Sequence, residues 1–239
     1  MAVTAYFPVL AFLLTGVILT IKAGKLTFAG AIAAAIAGLL VFAGAGYTGL
    51  IMLTTFFILG TIATSWKKKE KLPFKSSGDR SAKRNAGQVL ANGGIPALAG
   101  LLMLLIPSQA TLFGMMMAAA LASATADTLS SELGMVYGRR FFNIITLRKE
   151  AKGLDGVISI EGLVIGIIGS AIIAVIYGLG YGWDKACFFI IIAGTLGNVA
   201  DSVLGALLER KNYLNNDAVN FLNTLIAALS ALLLLTFTR

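Results

Sequence analysis

The sequence predicts an all-α fold, a polytopic integral membrane helix bundle of about eight transmembrane helices. Of the 239 residues, 58% are hydrophobic and only 13% are charged, which is far from the composition of soluble proteins. The mean hydropathy of +0.88 points the same way. Apolar runs also recur at about 20 residues, the length at which a helix crosses the hydrocarbon core. We therefore expect residues 1–239 to form a single integral membrane domain.

Eight apolar runs of this kind follow one another along the chain. They lie at 5–21, 26–43, 47–65, 89–106, 110–128, 162–179, 186–208 and 219–237. The first run has no basic segment before it and no small-residue cleavage site after it, so we expect a retained helix rather than a signal peptide. The Gly-rich stretch 87–100 could instead be a broken or re-entrant helix, and 129–145 could hold an interfacial helix. Seven and nine helices are therefore the alternative counts.

The positions of Lys and Arg predict that both chain termini lie on the non-cytoplasmic side of the membrane (N-out, C-out). All of the 19 Lys and Arg residues except Lys185 and Arg239 fall in connections on one side of the predicted bundle, and short cytoplasmic loops carry such an excess. This side contains a basic loop at 66–88 and a second loop at 139–161. The bases at 67–71 are expected to set the topology and to attract anionic headgroups. We expect a prokaryotic plasma membrane protein whose active site faces the cytoplasm.

Two carboxylates near the ends of long apolar runs indicate where the function lies. Asp127 stands in the motif ADTLSSE and Asp201 in the motif NVADSV. An ionisable side chain at membrane depth is costly unless it faces the protein interior, water, a partner or an ion. The two motifs therefore predict one shared polar site, to which Ser131, Glu132 and Asn198 would contribute.

Any metal at this site must bind oxygen ligands. The chain has one cysteine, Cys187, and no histidine, so it offers no Cys/His zinc site. Mg²⁺ is usually held by one or two carboxylates together with substrate phosphates. We predict Mg²⁺ as the cofactor, with these ligands: Asp127, Glu132, Glu161 and Asp201.

The second half of the basic loop and the start of the next helix are predicted to bind phosphate. Arg80, Lys83 and Arg84 are mixed with hydroxyl, amide and Gly residues, and bases beside the backbone N–H groups of a helix N-terminus hold phosphate well. Gln88 and Asn92 are four apart and would share one face of that helix below the bases. Their alternative role is hydrogen bonding between helices. Nucleic acid is not expected as a partner, because no aromatic residues are interleaved with the bases.

Polar residues also stand at the starts of two later helices. Ser159 and Glu161 open the sixth run and could complete a metal or nucleotide shell, while Asn216 precedes the last run. The alternative at both places is ordinary helix capping. An ion or proton pathway would use carboxylates as well, but it does not need bases and glycines on the same membrane face. Phosphate chemistry is therefore favoured.

Five segments together resemble the transmembrane protein 19 family, which includes plant phytyl-phosphate kinase. They are KRNAGQVLANG at 83–93, ADTLSSELG at 126–134, GVISIEG at 156–162, GTLGNVADSVLGA at 194–206 and NDAVNF at 216–221. The resemblance covers most of the chain from about residue 20 onward. It implies an integral membrane kinase that converts phytyl monophosphate, an isoprenyl monophosphate, to the diphosphate with a nucleoside triphosphate. CTP is one candidate donor.

The roles within such a kinase must be argued from charges, because the sequence contains no P-loop and no protein-kinase motif set. We hypothesise catalytic roles for Lys83, Arg84, Asp127 and Asp201. Substrate or nucleotide binding is expected for the remaining polar residues, namely Arg80, Gln88, Asn92, Ser131, Ser159, Asn198 and Asn216. Two alternatives stay open. One is a lipid-phosphate cytidylyltransferase, which needs the same residue types, and the other is an ion-coupled transporter whose carboxylates bind a cation or a proton.

Overall fold

The computed structural model describes residues 4, 6–74 and 83–237, and these form a helix bundle. The α-helices are α1 Tyr6–Lys22, α2 Phe28–Ser65, α3 Lys68–Lys71, α4 Ala86–Leu105, α5 Ala110–Tyr137, α6 Ile160–Tyr181, α7 Lys185–Leu204 and α8 Asn216–Thr236. Short 3₁₀ turns at Leu72–Phe74 and Pro107–Gln109 and a π-helical turn at Gly205–Glu209 extend them. The strands β1 Phe142–Asn143 and β2 Val157–Ile158 pair antiparallel. The predicted all-α, polytopic membrane class is confirmed apart from this two-residue ribbon.

Six of the described helices are long and apolar enough to cross a membrane, and one of them, α2, is a hairpin. Gly46 has φ 63° and ψ −152° in its middle, a conformation that favours glycine. A straight helix of 38 residues would be about 57 Å long, yet Lys25 Nζ donates to Ser65 Oγ at 2.9 Å. The chain therefore turns back at Gly46. The two arms, 28–45 and 47–65, correspond to the separate apolar runs predicted at 26–43 and 47–65.

Two of the alternatives left open by the sequence are wrong. α4 continues from Ala86 to Leu105 with Pro96 inside it, so the Gly-rich stretch is not a broken helix. α5 continues to Tyr137, well beyond its predicted end at 128, and β1 follows, so no interfacial helix lies in 129–145. Glu132, one of the polar residues beyond the predicted end of α5, is buried inside the bundle.

α5 is the centre of the bundle and carries a fully buried series of small residues. These include Ala118, Ala119, Ala120, Ala122, Ala124 and Ala126. Small residues let helix backbones approach closely in membrane proteins. A Cβ at Gly197 of α7 would lie 2.1 Å from Ser123 Oγ, and a Cβ at Gly166 of α6 would lie 3.2 Å from the Ala126 carbonyl oxygen. These contacts bring α6 and α7 directly against the part of α5 that carries Asp127.

The polar connections gather at one end of the bundle, which we call the polar end. Thr27 N donates to the Arg84 carbonyl at 3.0 Å, and Arg84 N donates to the Lys25 carbonyl at 2.9 Å. Trp66 Nε1, just past α2, donates to the Tyr137 hydroxyl at the end of α5 at 3.0 Å. These contacts bring the connection between α1 and α2, the segment before α4 and the ends of α2 and α5 together. Which face of the membrane the polar end occupies stays a prediction.

The second loop, 139–161, is folded against the end of α7. Arg210 Nη2 donates to Glu150 Oε2 at 2.7 Å, and Arg210 Nε donates to the Asp155 carbonyl at 2.5 Å. The hydrogen bond from Arg210 holds the pKa of Glu150 below its usual range. Gly156, with φ 71°, packs so closely on the π-helical turn after α7 that a Cβ there would lie 2.6 Å from the Ala206 nitrogen. The loop therefore forms a fixed side of the polar end.

Candidate functional site

A cavity of about 450 Å³ opens at the polar end, between α2, α4, α5 and α7, with Ser159 just before α6 and the first residues of α8 also in its wall. Most of the predicted site residues line it. They are Arg84, Gln88, Asn92, Asp127, Ser131, Glu132, Ser159, Asn198, Asp201 and Asn216. Residues from five separate segments thus meet at one place.

Among the described residues, two predicted site residues do not join this group, namely Lys83 and Glu161. Arg80 lies outside the described residues. Lys83 does not line the cavity and is exposed beside Gly24. Glu161 stays outside as well, where its Oε2 accepts a hydrogen bond from Arg139 N at 3.3 Å. The expectation that Glu161 shares a metal with Asp127 is corrected by this placement, because its side chain faces the second loop.

The carboxyl groups of Asp127 and Asp201 lie beside each other in the wall of the cavity. They come from α5 and α7, whose close packing at Gly197 sets the distance between them. Two carboxylates in such contact repel each other unless a proton or a cation lies between them. The electrostatics of the pair would therefore favour the binding of a positive species.

Asn223 of α8 holds one member of this pair. Its Nδ2 donates to Asp201 Oδ1 at 2.7 Å, and its Oδ1 accepts from Ser123 Oγ at 3.2 Å. Asn223 is fully buried, so this short chain of hydrogen bonds fixes the Asp201 side chain. The sequence analysis did not include Asn223 among the site residues. The signal that could have found it is an amide inside the apolar last run, facing the same way as Asn216 and Asn220.

Glu132 is engaged in a buried ion pair. Lys71 Nζ lies 2.5 Å from Glu132 Oε2, and the Lys71 side chain is only 1% exposed. Lys71 Nζ also donates to the Ala63 carbonyl at 2.7 Å. Buried charges need this kind of pairing and hydrogen bonding. Two expectations are corrected here. Glu132 pairs with a lysine, although a metal was predicted as its partner. Lys71 lies inside the bundle, although contact with lipid headgroups was predicted for it.

Arg84 brings a positive charge to the cavity opposite the carboxylates. Its guanidinium passes between α2 and α5, where a Cβ at Gly60 would lie 3.3 Å from Nη2 and Thr128 lies alongside. Burial lowers the pKa of Arg84 from its ordinary value, and the negative charge of Glu132 opposes this shift. An arginine remains charged in proteins even so. Arg84 is therefore a fixed cation in the wall of the cavity.

The two amides of α4 differ in what they can offer a ligand. Gln88 Oε1 accepts from Asn85 N at 3.0 Å, and the Gln88 backbone nitrogen donates to Asn85 Oδ1 at 2.9 Å. This is a capping box, so the side-chain oxygen of Gln88 is already used. Asn92 Nδ2 donates to the Gln88 carbonyl at 3.2 Å. Asn92 Oδ1 is the buried side-chain atom that has no hydrogen-bond partner among the described residues.

An unsatisfied buried acceptor costs about 1 to 3 kcal/mol. A bound donor or cation would remove this cost at Asn92.

The remaining predicted residues also have local partners. Ser159 caps α6 by accepting from Gly162 N at 3.1 Å. Asn216 Oδ1 accepts from Asn220 Nδ2 at 2.7 Å. Ser131 Oγ donates to the Thr128 carbonyl at 3.3 Å. The capping interpretation thus accounts for the local bonding of Ser159, although its position in the cavity wall remains.

The donor set fits Mg²⁺ only in part. Among the described residues no three acidic, His or Cys side chains group closely enough to hold a metal by themselves, so the predicted four-carboxylate set is not formed. Asp127 and Asp201 supply two hard oxygen ligands, and Asn92 Oδ1 is an unused oxygen in the same cavity wall. Mg²⁺ is commonly bound by one or two carboxylates and completed by substrate phosphates. The residues present fit that second arrangement.

Comparison with known proteins identifies relatives along most of the chain. The family model described as "Integral membrane protein DUF92" matches residues 10–228. An uncharacterized membrane protein of Methanocaldococcus jannaschii is 35% identical over 205 residues, which cover 86% of this chain and 84% of that protein. An uncharacterized membrane protein of Synechocystis sp. is 30% identical over 190 residues, covering 78% of this chain and 74% of that protein.

A plant protein and the solved structures complete the comparison. The chloroplastic protein VTE6 of Arabidopsis thaliana is 26% identical over 199 residues, covering 80% of this chain and 60% of the plant protein. No solved structure matches this chain significantly.

Proposed function

We propose that this chain, which belongs to the DUF92 family of integral membrane proteins, is a membrane kinase for isoprenyl monophosphates. The reaction would convert the monophosphate to the diphosphate with a nucleoside triphosphate, CTP among the candidates. The observation that carries the proposal is the Asp127–Asp201 carboxyl pair in one cavity with Arg84. The motif resemblance to the family of plant phytyl-phosphate kinase implies this reaction, and the match to the chloroplastic protein VTE6 agrees with that resemblance.

The place of the cavity suits a substrate with a lipid tail and a charged head. The cavity opens at the polar end, where α4 and α8 begin and α5 and α7 end. An isoprenyl monophosphate keeps its tail in the hydrocarbon and presents its phosphate at the membrane boundary. Lys25 and Lys68 also line the cavity, so positive charge is available for a second phosphorylated molecule.

Each residue has a role in this proposal that follows from its contacts. Asp127 and Asp201 would hold Mg²⁺ together with the triphosphate, and the bound ion would neutralise and orient phosphate oxygens. Arg84 would stabilise the negative charge on the phosphoryl group as it is transferred. Asn92 would use its unpaired oxygen to position a donor group of the nucleotide or a water.

The transfer needs no strong base. A non-bridging oxygen of the isoprenyl monophosphate attacks the γ-phosphorus, the bond to the β–γ bridging oxygen breaks, and the nucleoside diphosphate leaves. The second pKa of a phosphate monoester is about 6, so at neutral pH its ionised oxygens are already nucleophilic. Catalysis of phosphoryl transfer is mainly positioning and electrostatic stabilisation. The absence of histidine from the sequence is therefore compatible with the reaction.

An ion-coupled carrier is the second candidate function. The hydrogen-bonded series Ser123, Asn223 and Asp201, with Asp127 beside it, favours this function, because carriers bind cations or protons on such groups inside the bundle. A carrier would move an ion without consuming nucleotide. The basic groups of the cavity wall would have no role in that activity, which is why we place the kinase first.

One experiment separates these functions. Purified protein in nanodiscs is incubated with Mg²⁺, each nucleoside triphosphate in turn and several isoprenyl monophosphates, and products are read by mass spectrometry. A kinase yields an isoprenyl diphosphate and a nucleoside diphosphate. A cytidylyltransferase yields a nucleotidyl lipid and inorganic diphosphate. No product from any combination, together with ion-dependent uptake in proteoliposomes, would replace the kinase by the carrier.

A further inference from the structure

We infer that Lys25, Ser65 and Arg84 form an anion site in the wall of the polar cavity, and that this site binds the phosphate of the isoprenyl monophosphate. All three residues line the cavity. The inference rests on the proposed function and assigns one of its two phosphorylated substrates to particular side chains. Neither Lys25 nor Ser65 is among the site residues that the sequence predicts.

The main chain holds the two bases of this site close together. Arg84 N donates to the Lys25 carbonyl at 2.9 Å, and Thr27 N donates to the Arg84 carbonyl at 3.0 Å. Leu26 and Arg84 thereby form a parallel β-bridge, and Leu26 is buried. The connection between α1 and α2 is thus joined to the segment before α4. These bonds involve backbone atoms, so a substitution of the Lys25 side chain leaves them in place.

The side chains of the two bases reach α2 at positions five residues apart. Lys25 Nζ donates to Ser65 Oγ at 2.9 Å. The Arg84 guanidinium lies beside Gly60, where a Cβ would be 3.3 Å from Nη2. Five residues of an α-helix rise about 7.5 Å. Charge-assisted hydrogen bonds to phosphate measure about 2.8 Å, so one phosphate group with an oxygen turned toward each base spans a gap of this size.

Neither base is neutralised by a carboxylate in the described part of the chain. Lys25 and Arg84 form no ion pair among the described residues. Ser65 Oγ donates its proton to a carbonyl of α2 at 2.7 Å, so it offers Lys25 a neutral acceptor and no negative charge. Lys71 is different, because Glu132 pairs with it inside the bundle. Two cations that line one cavity without a carboxylate partner attract an anion, and phosphate suits both of them.

The carboxyl pair indicates which phosphorylated substrate this site suits. Asp127 and Asp201 line the same cavity and would repel a phosphate that carries no metal ion. The nucleoside triphosphate would reach them with Mg²⁺ bound, and the charge of the ion reverses the sign of this interaction. The isoprenyl monophosphate has no metal ion of its own, so the basic part of the wall is the place that attracts it.

The level of each group along the bundle agrees with this assignment. Thr128 of α5 follows the first carboxylate of the pair in the sequence, and a Cβ at Gly60 would lie 3.4 Å from Thr128 Cγ2. Arg84, which also lies beside Gly60, is therefore near the level of the carboxyl pair. Ser65 and Lys25 are closer to the polar end, where this arm of α2 ends. A triphosphate on the carboxyl pair and a monoester at Lys25 would then bring the transferred phosphoryl group beside Arg84.

The test removes the charge of Lys25 and follows the two substrates separately. Lys25→Met keeps the aliphatic stem, and Lys25→Arg keeps the charge. The matched control is Lys22→Met, because Lys22 is exposed in the last turn of α1 and does not line the cavity. Melting temperatures equal to that of the wild type check the folding of each variant.

We expect Lys25→Met to raise KM for phytyl monophosphate by about tenfold or more, as the loss of a charge-assisted contact does. KM for the nucleotide should stay within about twofold of the wild type. Lys25→Arg should recover part of the loss, and Lys22→Met should change neither KM. An unchanged KM for phytyl monophosphate in Lys25→Met, or a rise in KM for the nucleotide as large as that for the monophosphate, would overturn the assignment.

A binding measurement without nucleotide and without Mg²⁺ separates this test from that of the kinase. Geranyl monophosphate, whose shorter chain makes it more soluble, is titrated into the protein in nanodiscs and followed by phosphorus NMR. Weaker binding by Lys25→Met than by Lys22→Met supports the anion site even where no diphosphate is formed. Equal binding by the two variants would overturn the site, while formation of the diphosphate by the wild type would still support the kinase.

Discussion

Asp127 of α5 and Asp201 of α7 meet carboxyl to carboxyl in the wall of the polar cavity. The two residues are far apart in the sequence, and the close approach of their helices at Gly197 and Ser123 brings them together. Such a pair carries a cost of repulsion that only a proton or a cation removes. The proposed reaction would use this property, because the nucleotide would enter the site together with a divalent cation.

Removal of either carboxylate should abolish most of the activity but preserve the fold. We expect Asp127→Asn and Asp201→Asn each to lower turnover by at least about 100-fold, since charge-specific stabilisation is lost. The melting temperature should be equal to or higher than that of the wild type, because the repulsion is removed as well. Asp184→Asn is the control. Asp184 caps α7, accepting from Ala186 N at 2.9 Å, and Asn caps equally well. Wild-type turnover in both site variants would contradict the metal assignment.

Arg84 and Lys83 are neighbours in the sequence, but we expect their substitution to affect nucleotide binding differently. Arg84 lines the cavity and Lys83 does not. We therefore expect Arg84→Ala to weaken nucleotide binding by about tenfold or more, as the loss of a charge-assisted contact does. Arg84→Lys should restore only part of it, because lysine lacks the planar fork. Lys83→Ala should stay within about twofold of the wild type. Calorimetric titration of the nucleotide measures all three, and equal losses at the two positions would argue against the geometry described for the basic segment.

Asn223 is expected to act as a positioning residue for Asp201. Asn223→Leu keeps the volume but removes the 2.7 Å hydrogen bond to Asp201 Oδ1. Loss of such a supporting contact weakens metal binding by about 10- to 100-fold. We expect a rise of this order in the Mg²⁺ concentration for half-maximal activity, with kcat at saturating Mg²⁺ retained. Mn²⁺ binding, followed by electron paramagnetic resonance without substrate, should weaken in parallel.

Ser170→Ala serves as the control for that variant. Ser170 is also buried, but it donates to the Ala122 carbonyl at 3.4 Å and does not contact Asp201. If Ser170→Ala and Asn223→Leu alter Mn²⁺ binding equally, the effect belongs to the bundle interior in general and not to the position of Asp201.

The parts of the fold that the sequence predicts are those that depend on local composition. Apolar runs give the helices, and the separation of runs 26–43 and 47–65 is confirmed by the turn at Gly46. The sequence also indicates the cavity residues on α4, α5 and α7, because a polar residue within an apolar helix carries a free-energy cost and therefore stands out. Contacts between distant segments were not predictable in the same way. Nothing in the basic run at 67–71 distinguishes Lys71 from its neighbours, and only the return of α3 to the bundle gives it Glu132 as a partner.

The Lys71–Glu132 pair gives the last prediction, and it separates a structural role of Glu132 from a role in metal binding. Lys71→Met removes the lysine from a buried ion pair, and breaking such a pair costs about 3 to 5 kcal/mol. We expect a lower melting temperature for Lys71→Met, and partial recovery when Glu132→Leu is added, because two apolar residues replace the pair. Mg²⁺ affinity of the double variant, measured by titration, should remain near that of the wild type. A large loss of Mg²⁺ affinity with unchanged stability would instead return Glu132 to the metal ligands.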